Sequence, residues 1–109
     1  MSGVAGDVVI VDMGLPMGYE QTGVRPAVFL HAERNVSLVS PLSSNPQRLQ
    51  FNNTVPIEPD GTNGLEKKSV ALVFQMRAID SRRIIKSIGT LSKKDRRVMR
   101  SKIRAVTHM

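Results

Sequence analysis

Only the last segment of this chain has the period of a helix, and that restricts the fold more than any other feature. Ser92 stands as an N-cap and Asp95 follows three residues on in a capping-box-like position. Val98, Met99, Ile103 and Val106 then fall within an arc of about 140° at 100° per residue, a stripe fit to pack on a sheet. Everything before it consists of short apolar runs cut by glycine and proline. Five or six short strands with one terminal helix and few helical crossovers predict an α+β class, built as a small, strongly bent antiparallel sheet or β-barrel. At 109 residues the chain is expected to form a single domain, 1–109, around one modest core.

The strands are read from β-branched content and their boundaries from turn residues. "DVVIVDM" (7–13) is a buried strand between Gly6 and Gly14. "GLPMGYEQTGVRP" (14–26) holds three glycines and two prolines and reads as a loop. "AVFLHA" and "NVSLVSPLS" form a hairpin across "ERN". "SSNPQRLQFNN" (43–53) is a second long loop, of the kind that carries function in small domains. "TVPIEP" is an edge strand because of its proline. After the turn "DGTNGLEKK", "SVALVFQMRAI" (69–79) is the longest strand and is expected to be central. "DSRRIIKS" reads as one helical turn capped by Asp80 or Ser81, before "IGTL" returns to extended structure.

Charge is placed unevenly. From Arg77 to Arg104 eleven Lys or Arg stand against Asp80 and Asp95, a net +9 within a chain of net +7. Such a segment either attracts a polyanion or an acidic protein partner, with steep salt dependence, or is simply a solvated basic face. There is no cysteine, so disulfides and thiolate metal sites are excluded. His31 and His108 have no metal-ligand spacing, and His31, alone near a strand end, reads as a structural or hydrogen-bonded residue rather than a general base. No apolar run approaches the roughly 20 residues that span a bilayer, and "MSGVAGD" is no signal peptide, so a soluble, cytoplasmic protein without membrane association is expected.

Taken in order, "GDVVIVDMG", "GYEQTGVRPAVFL", "VSLVSPLSS", "GLEKKSVALVFQMRAID" and "IGTLS" ahead of a helix resemble the MazF/PemK/Kid family of toxin endoribonucleases, from about Gly6 to about Ile103. The most specific pieces are "E-Q-x-G-x-R-P" and "Q-M-R-A-I-D". The resemblance implies an SH3-like barrel with a C-terminal helix, a symmetric homodimer, cleavage of single-stranded RNA with no metal or other cofactor, and inhibition by a cognate antitoxin. A non-catalytic binding module on the same barrel, including a gyrase-directed poison of the CcdB kind, is the rival reading, and a decayed member that keeps only antitoxin binding is a third.

Metal-free RNA cleavage needs the 2′-hydroxyl to attack its own phosphorus in line, with help in removing that proton, neutralising the phosphorane and protonating the leaving oxygen. The resemblance makes Arg25 the principal catalytic residue; read from the residues alone, it is either a phosphate-gripping guanidinium or a loop charge paired with Glu20. Ser43 aligns with the family's usual threonine and keeps the hydroxyl donor while losing the methyl that restricts its rotamer, and neighbouring Ser44 can substitute for it. Both hydroxyls can equally serve turn chemistry. Glu20 is the carboxylate that would orient Arg25 or accept the hydroxyl proton. Gln75, on a strand matching the family's, is read as an amide that contacts a base or supports the residues that do, and Arg77 as a phosphate contact or a merely solvated strand arginine. Some members use an arginine and an aspartate just before that glutamine; Leu72 and Phe74 stand there in this chain, so that version of the mechanism does not carry over. Phe51 offers a base-stacking face, or packs its loop down.

Overall fold

The computed structural model describes residues 3–14 and 23–108. Among these residues seven strands precede one helix: β1 (Asp7–Asp12), β2 (Val24–Glu33), β3 (Val36–Ser43), β4 (Thr54–Ile57), β5 (Ser69–Leu72), β6 (Arg77–Asp80), β7 (Ile84–Thr90) and α1 (Lys93–Thr107). All pairings are antiparallel, in the order β4-β5-β3-β2-β1-β7, with β6 beside the first half of β3. This is the α+β arrangement expected from the strand pattern. The path ends at β4 and β7, so the sheet is an open one.

It is also strongly curled. In a flat sheet β4 and β1 would lie about 19 Å apart, four inter-strand spacings. Yet Val55 and Ile57 of β4 share one core cluster with Val8 of β1, Val28 of β2 and Met99 of α1. Alternate residues of β1 serve a second cluster, in which Val9 and Val11 meet Ala27, Phe29, Val39 and Ile79. Burial on both faces is why β1 reads as a continuous apolar run rather than an alternating one.

The helix closes the first cluster. Ser92 Oγ accepts the Asp95 N–H at 3.1 Å, Met99 is buried, and Ile103 and Val106 pack against the cluster from its margin. Val98, at the edge of the stripe, stays 37% exposed. The remaining faces of α1 carry exposed Lys93, Lys94, Arg97, Arg100 and Arg104. No helix among the described residues is long and apolar enough to cross a membrane.

Three expectations need correction. The run 69–79 is two strands, because its register against β3 slips by three residues between Leu42–Ala71 and Val39–Arg77, and Val73–Gln75 loop out as a 3-10 turn. "DSRRIIKS" holds only a 3-10 turn, Ser81–Arg83, capped by Asp80; the rest belongs to β7, which pairs with β1 through Lys86 and Ile84. Arg25 and Pro26 lie within β2, opposite Val11 and Ile10, rather than in the preceding loop.

The turn before β5 is fixed by side chains. Asp60 Oδ1 accepts from the Thr62 N–H, the Thr62 hydroxyl and the Asn63 N–H, while fully buried Asn63 donates to the Glu58 carbonyl and accepts from the Leu65 N–H. Gly64 follows with φ +72°, so close to β7 that a Cβ would sit 2.1 Å from the Ile88 carbonyl oxygen. That contact sets one wall of the cleft described next.

Candidate active site

A cleft of about 500 Å³ opens where the start of β2, the end of β3, the 64–67 segment and β7 converge. Arg25, Ser44, Lys67 and Lys86 supply polar groups to it, with Glu66 as the one carboxylate among the described residues of its lining. Ile10 and Pro26 form part of its apolar side. Among the described residues, three cations against one acid make this a concavity suited to an anion.

Arg25 is half-buried, and its backbone is extended because it pairs with Val11 and precedes a proline. Its pKa lies below the ordinary guanidinium value, first because burial penalises the charge and second because the positive charge of Arg48 bears on it. Arg48, which does not line the cleft, is a neighbouring charge that the sequence reading missed. It is the single charged residue between Ser43 and Asn53, which was the available signal. A 3-10 helix, Pro46–Gln50, carries it, with Asn45 as N-cap accepting the Gln47 N–H through Oδ1 at 3.0 Å.

The two candidate serines part ways here. Ser43 is buried, and its Oγ accepts the Asn45 N–H at 3.2 Å, so the hydroxyl helps shape the turn that launches the 3-10 helix. Ser44 is exposed and lines the cleft together with Arg25. Glu20 lies outside the described residues, as does the rest of 15–22.

Gln75, Arg77 and Phe51 do not line the cleft. Gln75 sits half-buried in the 3-10 turn between β5 and β6 rather than on a strand. Arg77 opens β6 and donates from Nη2 to the Met13 carbonyl at 2.8 Å, tying β6 to the end of β1. Phe51 caps the Pro46–Gln50 helix, its N–H donating to the Arg48 carbonyl, and meets Phe74 of the 3-10 turn. Of the two positions where some relatives carry charge, Leu72 is fully buried and Phe74 is 40% exposed. His31 is exposed and paired with Glu33, Nε2 to Oε1 at 2.9 Å.

The arrangement can grip a phosphodiester between a planar guanidinium and two lysines, beside a hydroxyl. Comparison with known proteins agrees with this placement of elements. Residues 5–107 match the family model described as PemK-like, MazF-like toxin of type II toxin-antitoxin system. Among solved structures, the chain is similar to MazF (Form-I) from Deinococcus radiodurans, with TM-score 0.79 and 22% identity over 96% of each chain. The MazE-MazF (Form-II) structure from the same organism gives TM-score 0.71 and 20% identity over 96% of this chain and 94% of that one. An endoribonuclease in complex with its cognate antitoxin from Mycobacterial species gives TM-score 0.72 and 12% identity over 96% of this chain and 94% of the other. At these identities the likeness is one of fold. The sequence has no significant match among curated proteins.

Proposed function

From the premise that this chain belongs to the family of PemK-like, MazF-like toxins of type II toxin–antitoxin systems, we propose that it is a sequence-selective, metal-independent endoribonuclease toxin acting on single-stranded RNA. It works as a homodimer in the cytoplasm and is held in check by a cognate antitoxin. The observation that carries this reading is Arg25 in an electropositive cleft, on a strand that holds its backbone still.

In the reaction, the 2′-oxygen forms a bond to phosphorus as the bond to the 5′-oxygen breaks, giving a 2′,3′-cyclic phosphate, or its opened 3′-phosphate, and a 5′-hydroxyl. Arg25 neutralises charge building on the non-bridging oxygens, and its partial burial strengthens that interaction relative to water. Ser43 assists with its hydroxyl. Glu20 orients Arg25 or takes the 2′ proton. Ser44, Gln75, Arg77 and Phe51 contact the RNA outside the scissile bond, Ser44 from the cleft wall.

The test is an RNA oligonucleotide mapped for its cut site and then remade with one 2′-deoxy nucleotide there. The remade strand should survive, and the products of the first should carry cyclic phosphate and 5′-hydroxyl ends. Equal cutting of both strands overturns the mechanism. A protein that arrests growth while leaving RNA whole would be the binding module or gyrase poison instead.

A further inference from the structure

The cleft holds more than a phosphate needs. At about 500 Å³ it falls in the range that encloses a whole small organic molecule. Part of its lining is an apolar row. Pro26 pairs with Ile10 and Ile10 with Lys86, so two apolar side chains and a lysine stand side by side across β2, β1 and β7. Glu66 lines the same space from a backbone that is held on its N-terminal side. Gly64 packs against the Ile88 carbonyl, and buried Leu65 donates its N–H to Asn63 Oδ1 at 3.0 Å. The Glu66 side chain has no such tie. Among the described residues it forms no ion pair, although Arg25, Lys67 and Lys86 line the cleft with it, whereas Glu58 is held by Lys68 at 3.2 Å. A carboxylate set in the path of a polyanion repels it unless it meets hydrogen-bond donors. An RNA phosphodiester carries none, but the edges of its unstacked bases do.

We infer that this cleft is a nucleobase pocket as well as a phosphate site, and that Glu66 selects guanine at a position next to the scissile phosphodiester. The inference rests on the endoribonuclease reading and gives its sequence selectivity a residue. Pro26 and Ile10 offer the flat of the base an apolar surface, while Arg25, beside Pro26, and Lys86, at the far end of the row, hold the phosphates of the strand. An ionised carboxylate only accepts, and it does so through two oxygens. Guanine alone among the four bases sets two donors side by side on its Watson–Crick edge, N1–H and the N2 amino group, so both Glu66 oxygens are met at once. Adenine and cytosine each place a ring acceptor beside their amino group, which would face the second oxygen, and the N3–H of uracil stands between two carbonyls.

The experiment compares kcat/KM for RNA oligonucleotides that differ only in the base on either side of the mapped cut, with wild type, Glu66→Gln, Glu66→Ala and Glu58→Gln. Glu58 is the control, an exposed acid already paired with Lys68. Wild type should favour guanine over the other bases at one flanking position by about 10–100-fold, the discrimination of one two-bonded base contact. Inosine, which lacks the N2 amino group, should lose part of that advantage. Glu66→Ala should erase the preference, Glu66→Gln, with one acceptor left, should retain a fraction of it, and Glu58→Gln should leave it unchanged. A wild type that cuts RNA without favouring guanine on either side overturns the pocket and leaves cleavage by Arg25 standing. A guanine preference that survives Glu66→Ala does the same, whether the rates are unchanged or fall evenly over all strands, since an even fall would put Glu66 in the chemistry rather than in base reading. A wild type that cuts no RNA removes the endoribonuclease reading, and the pocket with it.

Discussion

Phe51 and Phe74 meet with ring centroids 5.5 Å apart and planes inclined at 44°, although 22 residues of sequence separate them and each residue is about 40% exposed. A tilted pair of this kind contributes about 0.5–1.5 kcal/mol, and neither ring is hidden in the core. If the exposed faces receive bases, Phe51→Ala and Phe74→Ala should each weaken binding of a non-cleavable RNA oligonucleotide by about 1–3 kcal/mol, with small changes in melting temperature. Fluorescence anisotropy with a labelled strand reads this directly. Unchanged affinity with a clear drop in melting temperature would show that the rings only pack the loop.

Ser43 and Ser44 should separate kinetically. Ser43→Ala removes the acceptor for the Asn45 N–H, costing about 1 kcal/mol of stability, and takes away the assisting hydroxyl, so kcat should fall. Ser43→Thr keeps the hydroxyl and adds the methyl that limits its rotamers, so activity should be kept or raised. Ser44→Ala removes a cleft-lining contact made before and during reaction, so KM should rise with kcat preserved. Steady-state cleavage of a short RNA by the three variants decides it. A fall in kcat confined to Ser44→Ala would transfer the assisting role to Ser44.

Much of this molecule was legible because its signals are local. Gly6 and Gly14 bracket β1, Pro56 puts β4 at an edge, and Ser92 caps α1 where its apolar stripe begins. The break inside 69–79 was not legible. Val73 is as buried as Leu72, so the apolar run continues straight through a turn dictated by β3, which pairs with β5 at one end and β6 at the other. Long-range register leaves no mark on a short sequence window. The same holds at the site. Arg25 is flagged by the proline beside it, whereas the bearing of Arg48's charge on it acts between distant positions and leaves no local sign.

Gly64 should tolerate no side chain. Its φ of +72° already disfavours alanine, and the added Cβ would stand 2.1 Å from the Ile88 carbonyl oxygen, a backbone atom that cannot swing away. Gly64→Ala is therefore expected to destabilise by about 2–4 kcal/mol, read from the urea midpoint. Gly61→Ala is the matched control, since nothing lies within 4 Å of its Cβ position and its φ is not in the left-handed region. It should fall within about 0.5 kcal/mol of wild type. Comparable losses in both would mean that the turn, rather than its contact with β7, is what the substitution disturbs.

Asp80 links the 3-10 turn Ser81–Arg83 to acid stability. Its carboxylate accepts from the Arg82 side chain, Nη2 to Oδ2 at 2.7 Å, and from the Arg82 backbone N–H at 2.9 Å, and these bonds hold its pKa down at about 2. A carboxylate depressed in the folded state stabilises the fold above its unfolded pKa and loses that contribution as pH falls through its folded value. The window for Asp80 is therefore from 3.8 down to about 2. A carboxyl NMR titration should find its midpoint near 2, and Arg82→Ala should raise it while leaving it below 3.8, because the backbone donor at residue 82 remains. The same variant should show a shallower decline of melting temperature across that window, since less of the depression is left to lose. A midpoint unmoved by Arg82→Ala would assign the depression to the backbone donor alone, with the exposed guanidinium adding nothing.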